Sequence, residues 1–312
     1  MKNASLLIHP EELSREWIDR LVDHRIPTLG IHPAGGHKAY RYVADLLNRI
    51  ETPEFRGLLD YAHEKGLCIE YEIHAARYLL PAEKFDEHPD WFRMDENGTR
   101  VSDLNFCACN EEALDYVAEQ AAAFVKKLYR STDRYCLWLD DASNAKCHCP
   151  DCTKLSHSDY QLKILNRIVK RLRRDNPNAS VPYLAYQSCI DAPKALKPED
   201  GIFLEYAPIN RDFHKPMCES AESKPLERLL ALFGTDTAKV LDYWYDNSLF
   251  SKWKKPPVAF EVDEPVMKAD FAYYRALGFE DIGCFACFLG KDYEELHGKV
   301  DIAPFAKAYH NQ

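Results

Sequence analysis

Basic charge is in short supply in this sequence: 40 Lys and Arg stand against 50 Asp and Glu, a formal net charge of −10. A nucleic-acid groove neutralises phosphates with a basic face, so no nucleic-acid partner is expected. The one basic cluster, Lys170–Arg174, falls late in a predicted helix, where it complements the helix dipole as a solvated face. Long apolar runs are missing as well. No segment approaches the ~18 residues a membrane-spanning helix needs, so no membrane partner is expected. The first ten residues carry too short an apolar core for a signal peptide, and the chain reads as cytoplasmic. Tandem repeats, low-complexity tracts and Gly/Ser linkers are also lacking. With 312 residues, 46% of them hydrophobic, a single domain spanning 1–312 is expected.

What is present is an alternation of short apolar segments with longer amphipathic ones. The strand candidates are 28–32, 68–74, 135–140, 181–187, 202–207, 239–245 and 282–288, each bounded by turn residues or charges. Helical patterns lie between them at 39–50, 53–65, 111–129, 159–175, 225–233 and 265–277. Asn110 ahead of Glu111 and Glu112 is a helix start, Pro53 and Pro265 suit first-turn positions, and Gly66 and Gly278 follow helices as C-terminal caps do. Seven strands alternating with helices imply a parallel sheet with crossovers. An eighth is expected between Glu83 and Cys109, with 104–107 as its candidate. The count predicts an α/β fold of the (β/α)8 TIM-barrel type. A doubly wound open sheet is the alternative, but no Gly-x-Gly-x-x-Gly follows any strand candidate.

In such a barrel the active site is built at the carboxyl ends of the strands. Those ends read His32, Glu72 and His74, Asn105, Asp140 and Asp141, Tyr186 and Gln187, Glu205 and Tyr206, and Asp242 to Asp246. Nearly every strand thus delivers a carboxylate, imidazole, amide or phenol to one rim. Aromatic residues join them: Tyr186, Tyr206, Tyr243, Trp244, Tyr245 and Trp253. Flat rings beside polar groups suit carbohydrate, whose C–H faces stack while its hydroxyls find carboxylates and amides. An oligosaccharide or glycan is therefore the expected partner. Two carboxylates in one pocket repel, so one can hold a proton near neutrality. Asp141 is the expected general acid and Asp140 its charged partner. Neighbours on a regular strand face opposite ways, so both reach the cleft only if the strand breaks in the following 142–145 loop. Glu205 is the reserve nucleophile. If Asp242 faces the cleft, Trp244 does too, as a stacking platform, and Tyr245 packs against the helices.

Eleven cysteines, an odd number, are expected to be thiols or metal ligands in a reducing compartment. Cys147, Cys149 and Cys152 lie close enough in sequence to hold a soft metal such as zinc, with the fourth ligand from Cys107, Cys109 or His157. The spacing is not that of radical enzymes, and no His-x-His begins a metallohydrolase site. Catalysis is expected to need no cofactor; a structural zinc is the reading for the cysteine stretch, with unliganded thiols or a local disulfide as its alternatives. Two other readings stay open: a barrel that binds glycans without cleaving them, and a metal-dependent hydrolase using the cysteine cluster.

The phrases His88-Pro-Asp-Trp-Phe92, Asn105-Phe-Cys-Ala-Cys-Asn110, Cys147-His-Cys-Pro-Asp-Cys152 and Leu184-Ala-Tyr-Gln187 resemble, in order, the barrel of the DUF4838 group. The Glu205-Tyr-Ala-Pro208 phrase, Cys218 and the Asp242-Tyr243 pair fit its later part. That group includes glycoside hydrolase family 163, endo-acting β-N-acetylglucosaminidases on N-glycans. The resemblance implies a glycosidase barrel acting on a β-linked N-acetylhexosamine-containing glycan. Where members often carry Asn-Asp before the cysteines, this chain has Asp140-Asp141. That pair also looks like the one in β-N-acetylglucosaminidases whose substrate acetamido group is the nucleophile. By that likeness Asp140 would orient the acetamido group and Asp141 would protonate the leaving oxygen.

Overall fold

Short apolar segments buried on both faces have one stable arrangement in this chain, a parallel sheet wrapped in helices. The computed structural model describes residues 2–311 apart from residue 144, which belongs to the loop expected to let the Asp-bearing strand break. Among the described residues eight strands form one sheet: β1 Asn3–Ile8, β2 Thr28–Ile31, β3 Cys68–His74, β4 Cys136–Trp138, β5 Val181–Ala185, β6 Ile202–Tyr206, β7 Lys239–Asp242 and β8 Asp281–Phe285. Their order is β4-β3-β2-β1-β8-β7-β6-β5, every paired neighbour parallel. The ends meet where Tyr135 N donates to Ser180 O at 2.8 Å beside a parallel Arg134–Ser180 bridge. The result is a near-closed (β/α)8 TIM barrel.

The helices are α1 Arg15–Asp23, α2 Ala39–Ile50, α3 Pro53–Glu64, α4 Ala76–Leu79, α5 Glu111–Val125, α6 His157–Asp175, α7 Leu226–Phe233, α8 Asn247–Phe250, α9 Glu264–Ala276, α10 Lys291–His297 and α11 Ala303–His310. Side-chain caps open several of them. Asn110 accepts from Ala113 N, Ser156 from Asp159 N and Asp263 from Val266 N. No helix among the described residues is long and apolar enough to cross a membrane.

One strand expectation is corrected. The eighth strand is β1, not a segment between 83 and 109. Residues 104–107 belong to a loop excursion, tied down by antiparallel bridges Phe92–Phe106 and Met94–Arg100. The physical reason is that so short an apolar run carries no period of its own, and only its pairing with β2 and β8 marks β1 as a strand.

The barrel interior carries charge at mid-height. Lys239 and Glu205 are fully buried, and Lys239 Nζ lies 2.5 Å from Glu72, 3.1 Å from Glu70 and 3.4 Å from Glu205. Gly283 makes room for the lysine stem: a Cβ there would come within 2.4 Å of Ser5 Oγ and 3.3 Å of Lys239 Cε. Burial drives Glu72 well above its ordinary value, Lys239 opposing and Glu205 and Glu70 adding to the rise. Burial also pushes Glu70 upward, but Lys239 and Arg134 outweigh it and the net shift is down. Above this layer an apolar one, including Leu7, Trp138, Leu184, Leu241 and Phe285, floors the mouth of the barrel.

Candidate active site

The alternation of each strand decides which residues reach the mouth. On β7 the inward positions are 239 and 241, and the phase carries on to Tyr243. Lys239 meets the interior glutamates, while Leu241 and Tyr243 line a cavity of about 1060 Å³ at the carboxyl ends of the strands. Trp138, Tyr243 and Phe285 form its aromatic floor, with Tyr243 and Phe285 stacked at 5.1 Å and 18°. Trp253, 65% exposed, stands on its wall.

Three imidazoles follow one pattern around the rim. His9, just after β1, bonds through Nδ1 to His32 O at 2.8 Å; His32, just after β2, to Glu72 O at 2.8 Å; and His74, ending β3, to Leu139 O at 2.6 Å. A carbonyl only accepts, so each Nδ1 carries the hydrogen, and in the neutral form of each ring Nε2 is the nitrogen with the lone pair. Burial first, then His9 and His74, hold His32 well below the ordinary imidazole value.

Asp141 lines the cavity. Tyr186 donates its hydroxyl to Asp141 Oδ1 at 3.1 Å and accepts from Gln187 Nε2 at 2.8 Å; Ser143 Oγ bonds Gln187 Oε1 at 2.9 Å. Gln187 holds a left-handed φ of 45°, which turns the chain after β5 toward the carboxylate. Gly35 closes the other side: a Cβ there would be 2.9 Å from Asp141 Oδ2 and 3.1 Å from His74 Cδ2.

A second carboxylate, Asp246, borders the same cavity. Its Oδ1 accepts from Ser248 N at 3.1 Å, Ser248 Oγ at 2.5 Å and Leu249 N at 3.3 Å, capping α8. Burial raises its pKa, opposed by the Ser248 hydroxyl and the Leu249 amide.

Of the residues expected at the site, His32, His74, Asp141, Tyr186 and Gln187 line this cavity together. The others lie elsewhere. Asp140 faces away from it: its oxygens accept from Asn105 N at 2.6 Å and Arg77 N at 3.2 Å, and Asn105 Oδ1 accepts from Asp140 N at 2.9 Å. Burial raises the Asp140 pKa, those amides opposing. Asn105 is therefore the clamp of Asp140, held at a left-handed φ of 38°. Glu205 lies under the floor, bonded by Trp138 Nε1 at 2.8 Å, and Glu72 is engaged by Lys239 beside it.

Tyr206 points outward, its hydroxyl donating to Glu222 O at 2.7 Å. Asp242 and Trp244 also point outward, which reverses the expected phase. Tyr274 donates to Asp242 at 2.7 Å, and Trp244 bonds Asp270 at 2.9 Å while stacking on Phe271 at 5.1 Å. Burial pushes Asp242 up to about 6, against the pull of Arg211. The inward lysine sets this phase, so the cavity receives Tyr243 instead of Trp244. Tyr245 packs outside, with its hydroxyl on Asp301 O.

The cysteines divide in the same way. Cys107, Cys147, Cys149 and Cys152 are buried with all four sulfurs within 4.8 Å of one another, the donor set and closeness a tetrahedral zinc takes. Cys109 is outside that group, as is His157. Arg100 Nη1 approaches Cys147 Sγ at 3.8 Å, placing a cation beside sulfurs that a metal would take as thiolates. Cys107 and Asn105 share one loop, and Cys147 follows Asp140 and Asp141 by a few residues, so the cluster joins the two loops that build the Asp140 clamp.

Sequence reading missed His9 and passed over Asp246. His9 follows the unrecognised strand. Asp246 stood within the 242–246 run, with no sign that a cap would turn it inward.

The sequence profile of the domain of unknown function DUF4838 matches residues 37–282. No curated protein matches the chain in sequence. Among solved structures it is similar in fold to the cold-adapted β-galactosidase of Rahnella sp. R3, with TM-score 0.59 and 10% identity over 99% of this chain and 55% of that one. This chain thus spans little more than half the length of that enzyme. The pneumococcal exo-β-D-N-acetylglucosaminidase module of family GH20 has TM-score 0.51 and 10% identity over 99% and 82% of the two chains. A Bacteroides ovatus GH5 xyloglucanase, solved with a heptasaccharide, has TM-score 0.51 and 11% identity over 96% and 67%. At these identities the likeness is one of fold.

Proposed function

The chain belongs to the DUF4838 family, and from that membership and the geometry of the barrel mouth we propose that it is a glycoside hydrolase. The carrying observation is the pairing of carboxylates with an aromatic floor: Asp141 and Asp246 both border the cavity whose base is Trp138, Tyr243 and Phe285. Asp141 is the proposed general acid. Tyr186 fixes one of its oxygens, and the other, beside Gly35, is left for the glycosidic oxygen. Asp246 replaces Glu205 as the second carboxylate of the reaction. Asp140 is a positioning residue that acts by fixing the end of β4. The proposed substrate is a β-linked N-acetylhexosamine-containing glycan, a reading supported by the family 163 resemblance.

The cysteine tetrad is proposed to hold a structural zinc. Four thiolates fill a tetrahedral shell and leave no position for substrate, which argues against the metal-hydrolase reading. When bound, the ion would cross-link the Cys107 and Cys147–Cys152 loops, while Asn105 and Asp140 keep the acid-bearing strand end in place.

Turnover of aryl β-N-acetylglucosaminide and aryl β-glucoside by the purified protein tests this proposal. Cleavage of the first supports it, and binding without cleavage of either establishes the non-catalytic reading. Equal rates on the two would show that the acetamido group is not needed, which leaves Asp246 as the proposed base or nucleophile.

A further inference from the structure

Three strands in succession end in a histidine that makes the same bond. Each Nδ1 donates to a carbonyl on the next strand round the barrel: β1 to β2, β2 to β3, β3 to the end of β4. The bond fixes ring orientation and tautomer together. Nε2 lies on the opposite side of each ring, and among the described residues no protein group hydrogen-bonds it. The rings adjoin, with centroids 5.8 Å apart from His9 to His32 and 5.8 Å from His32 to His74. His32 and His74 also pack against Trp138 at 5.6 and 5.0 Å. The arc therefore runs along the edge of the aromatic floor, and its His74 end meets Asp141 across Gly35.

We propose that His9, His32 and His74 form the hydroxyl-recognition wall of the cavity, three imidazole Nε2 acceptors that take hydrogens from the free hydroxyls of one neutral sugar ring lying on Trp138. The inference rests on the reading that the cavity takes a glycan, and it adds which ring the cavity selects. A sugar hydroxyl is donor and acceptor, so a wall of three acceptors engages it with the hydrogen pointing into the protein. A carboxylate, sulfate or phosphate has no hydrogen to offer and would face three lone pairs without a partner, the mismatch that rejects a ligand most strongly. With the C6 hydroxyl as one of the three it engages, the wall selects unsubstituted rings and rejects a uronic ring, whose C6 carboxylate has no hydrogen to give. Burial keeps the central ring neutral, which preserves its lone pair. Chelation of a metal is the other chemistry open to three imidazoles. The four cysteines are, however, the only group of three or more ligand residues among those described whose donor atoms all lie within 4.8 Å, so the imidazole nitrogens are spaced for separate partners.

The test is the imidazole ¹⁵N spectrum of the full chain labelled at histidine, with glucose, N-acetylglucosamine and glucuronic acid as probes. The expected result is three rings in the Nδ1–H form whose bare Nε2 signals move with the two neutral sugars and not with glucuronic acid. His9→Ala, His32→Ala and His74→Ala, used to assign the signals, should each weaken neutral-sugar binding about 3–10-fold, the worth of one neutral hydrogen bond. Rings in the Nε2–H form, no movement with either neutral sugar, or equal movement with glucuronic acid would overturn the proposal. So would joint movement of all three signals on adding Zn²⁺ alone. Movement with neutral sugars in a protein that cleaves no glycoside would leave the wall standing and refute the hydrolase reading. Turnover with unmoved imidazoles would do the reverse.

Discussion

Exchanging one oxygen for an amide at Asp140 and at Asp141 should give opposite phenotypes, although the two residues are adjacent. At Asp141 the hydroxyl of Tyr186 donates to Oδ1, and an asparagine oxygen still accepts that bond. Stability should then change by less than about 0.5 kcal/mol. The rate should fall about 10²–10⁴-fold, because the amide has no proton to give the leaving oxygen. At Asp140 both oxygens already accept, from Asn105 N at 2.6 Å and Arg77 N at 3.2 Å. An asparagine has one acceptor oxygen, so its amide must face a second N–H. Keeping the shorter bond sacrifices the one to Arg77 and leaves a buried amide unpaired, a loss of about 1–3 kcal/mol. The low end is favoured because burial already disfavours the charged carboxylate. A midpoint lower by roughly 2–5 °C follows, with a rate change smaller than that of Asp141→Asn. The assay pairs thermal unfolding with turnover of an aryl β-N-acetylglucosaminide bearing a poor leaving group. If Asp140→Asn were as stable as the parent and inactive while Asp141→Asn kept its rate, the division of roles would be wrong.

Lys239→Met should cost about 3–5 kcal/mol at pH 7, since it leaves Glu70, Glu72 and Glu205 buried without their shared cation. The stability Glu70 draws from its lowered pKa is present above its unfolded value and is lost on acidification. Glu72, raised, is relieved by the same protonation. The variant's deficit should therefore shrink toward about pH 4 in urea unfolding, and a pH-independent deficit would speak against buried charge as its cause. Protein purified without chelator should contain one zinc per chain, and Cys149→Ser should lose metal and stability together. Metal-free parent protein of unchanged stability would refute this. Tyr243→Ala should weaken sugar binding, while Trp244→Ala should cost about 3–5 kcal/mol through the cavity left against Phe271; calorimetric titration and thermal unfolding separate the two, and the reverse assignment would show the strand phase to be wrong.

By itself the sequence determined the barrel, because alternating short apolar and long amphipathic segments have few ways to bury both. It determined the rim as well: His32, His74, Asp141, Tyr186 and Gln187 stand where strands end, and they line one cavity. The cysteine spacing marked three of the four sulfurs of the tetrad and offered Cys107 as a fourth. Beyond this the sequence was silent for physical reasons. A period of two says that alternate residues share a face but not which face looks inward. On β7 the answer came from Lys239 meeting glutamates on β3 and β6, all of them more than 30 positions earlier in the chain. The same ambiguity split Asp140 from Asp141 and buried Glu205 beneath Trp138. β1 is a strand only through its partners on both sides, and with it came His9 and the repeated Nδ1 bond. Which strand ends carry chemistry is a local property of the chain. Which of their side chains meet is decided by register and phase, and those exist only once the barrel has closed.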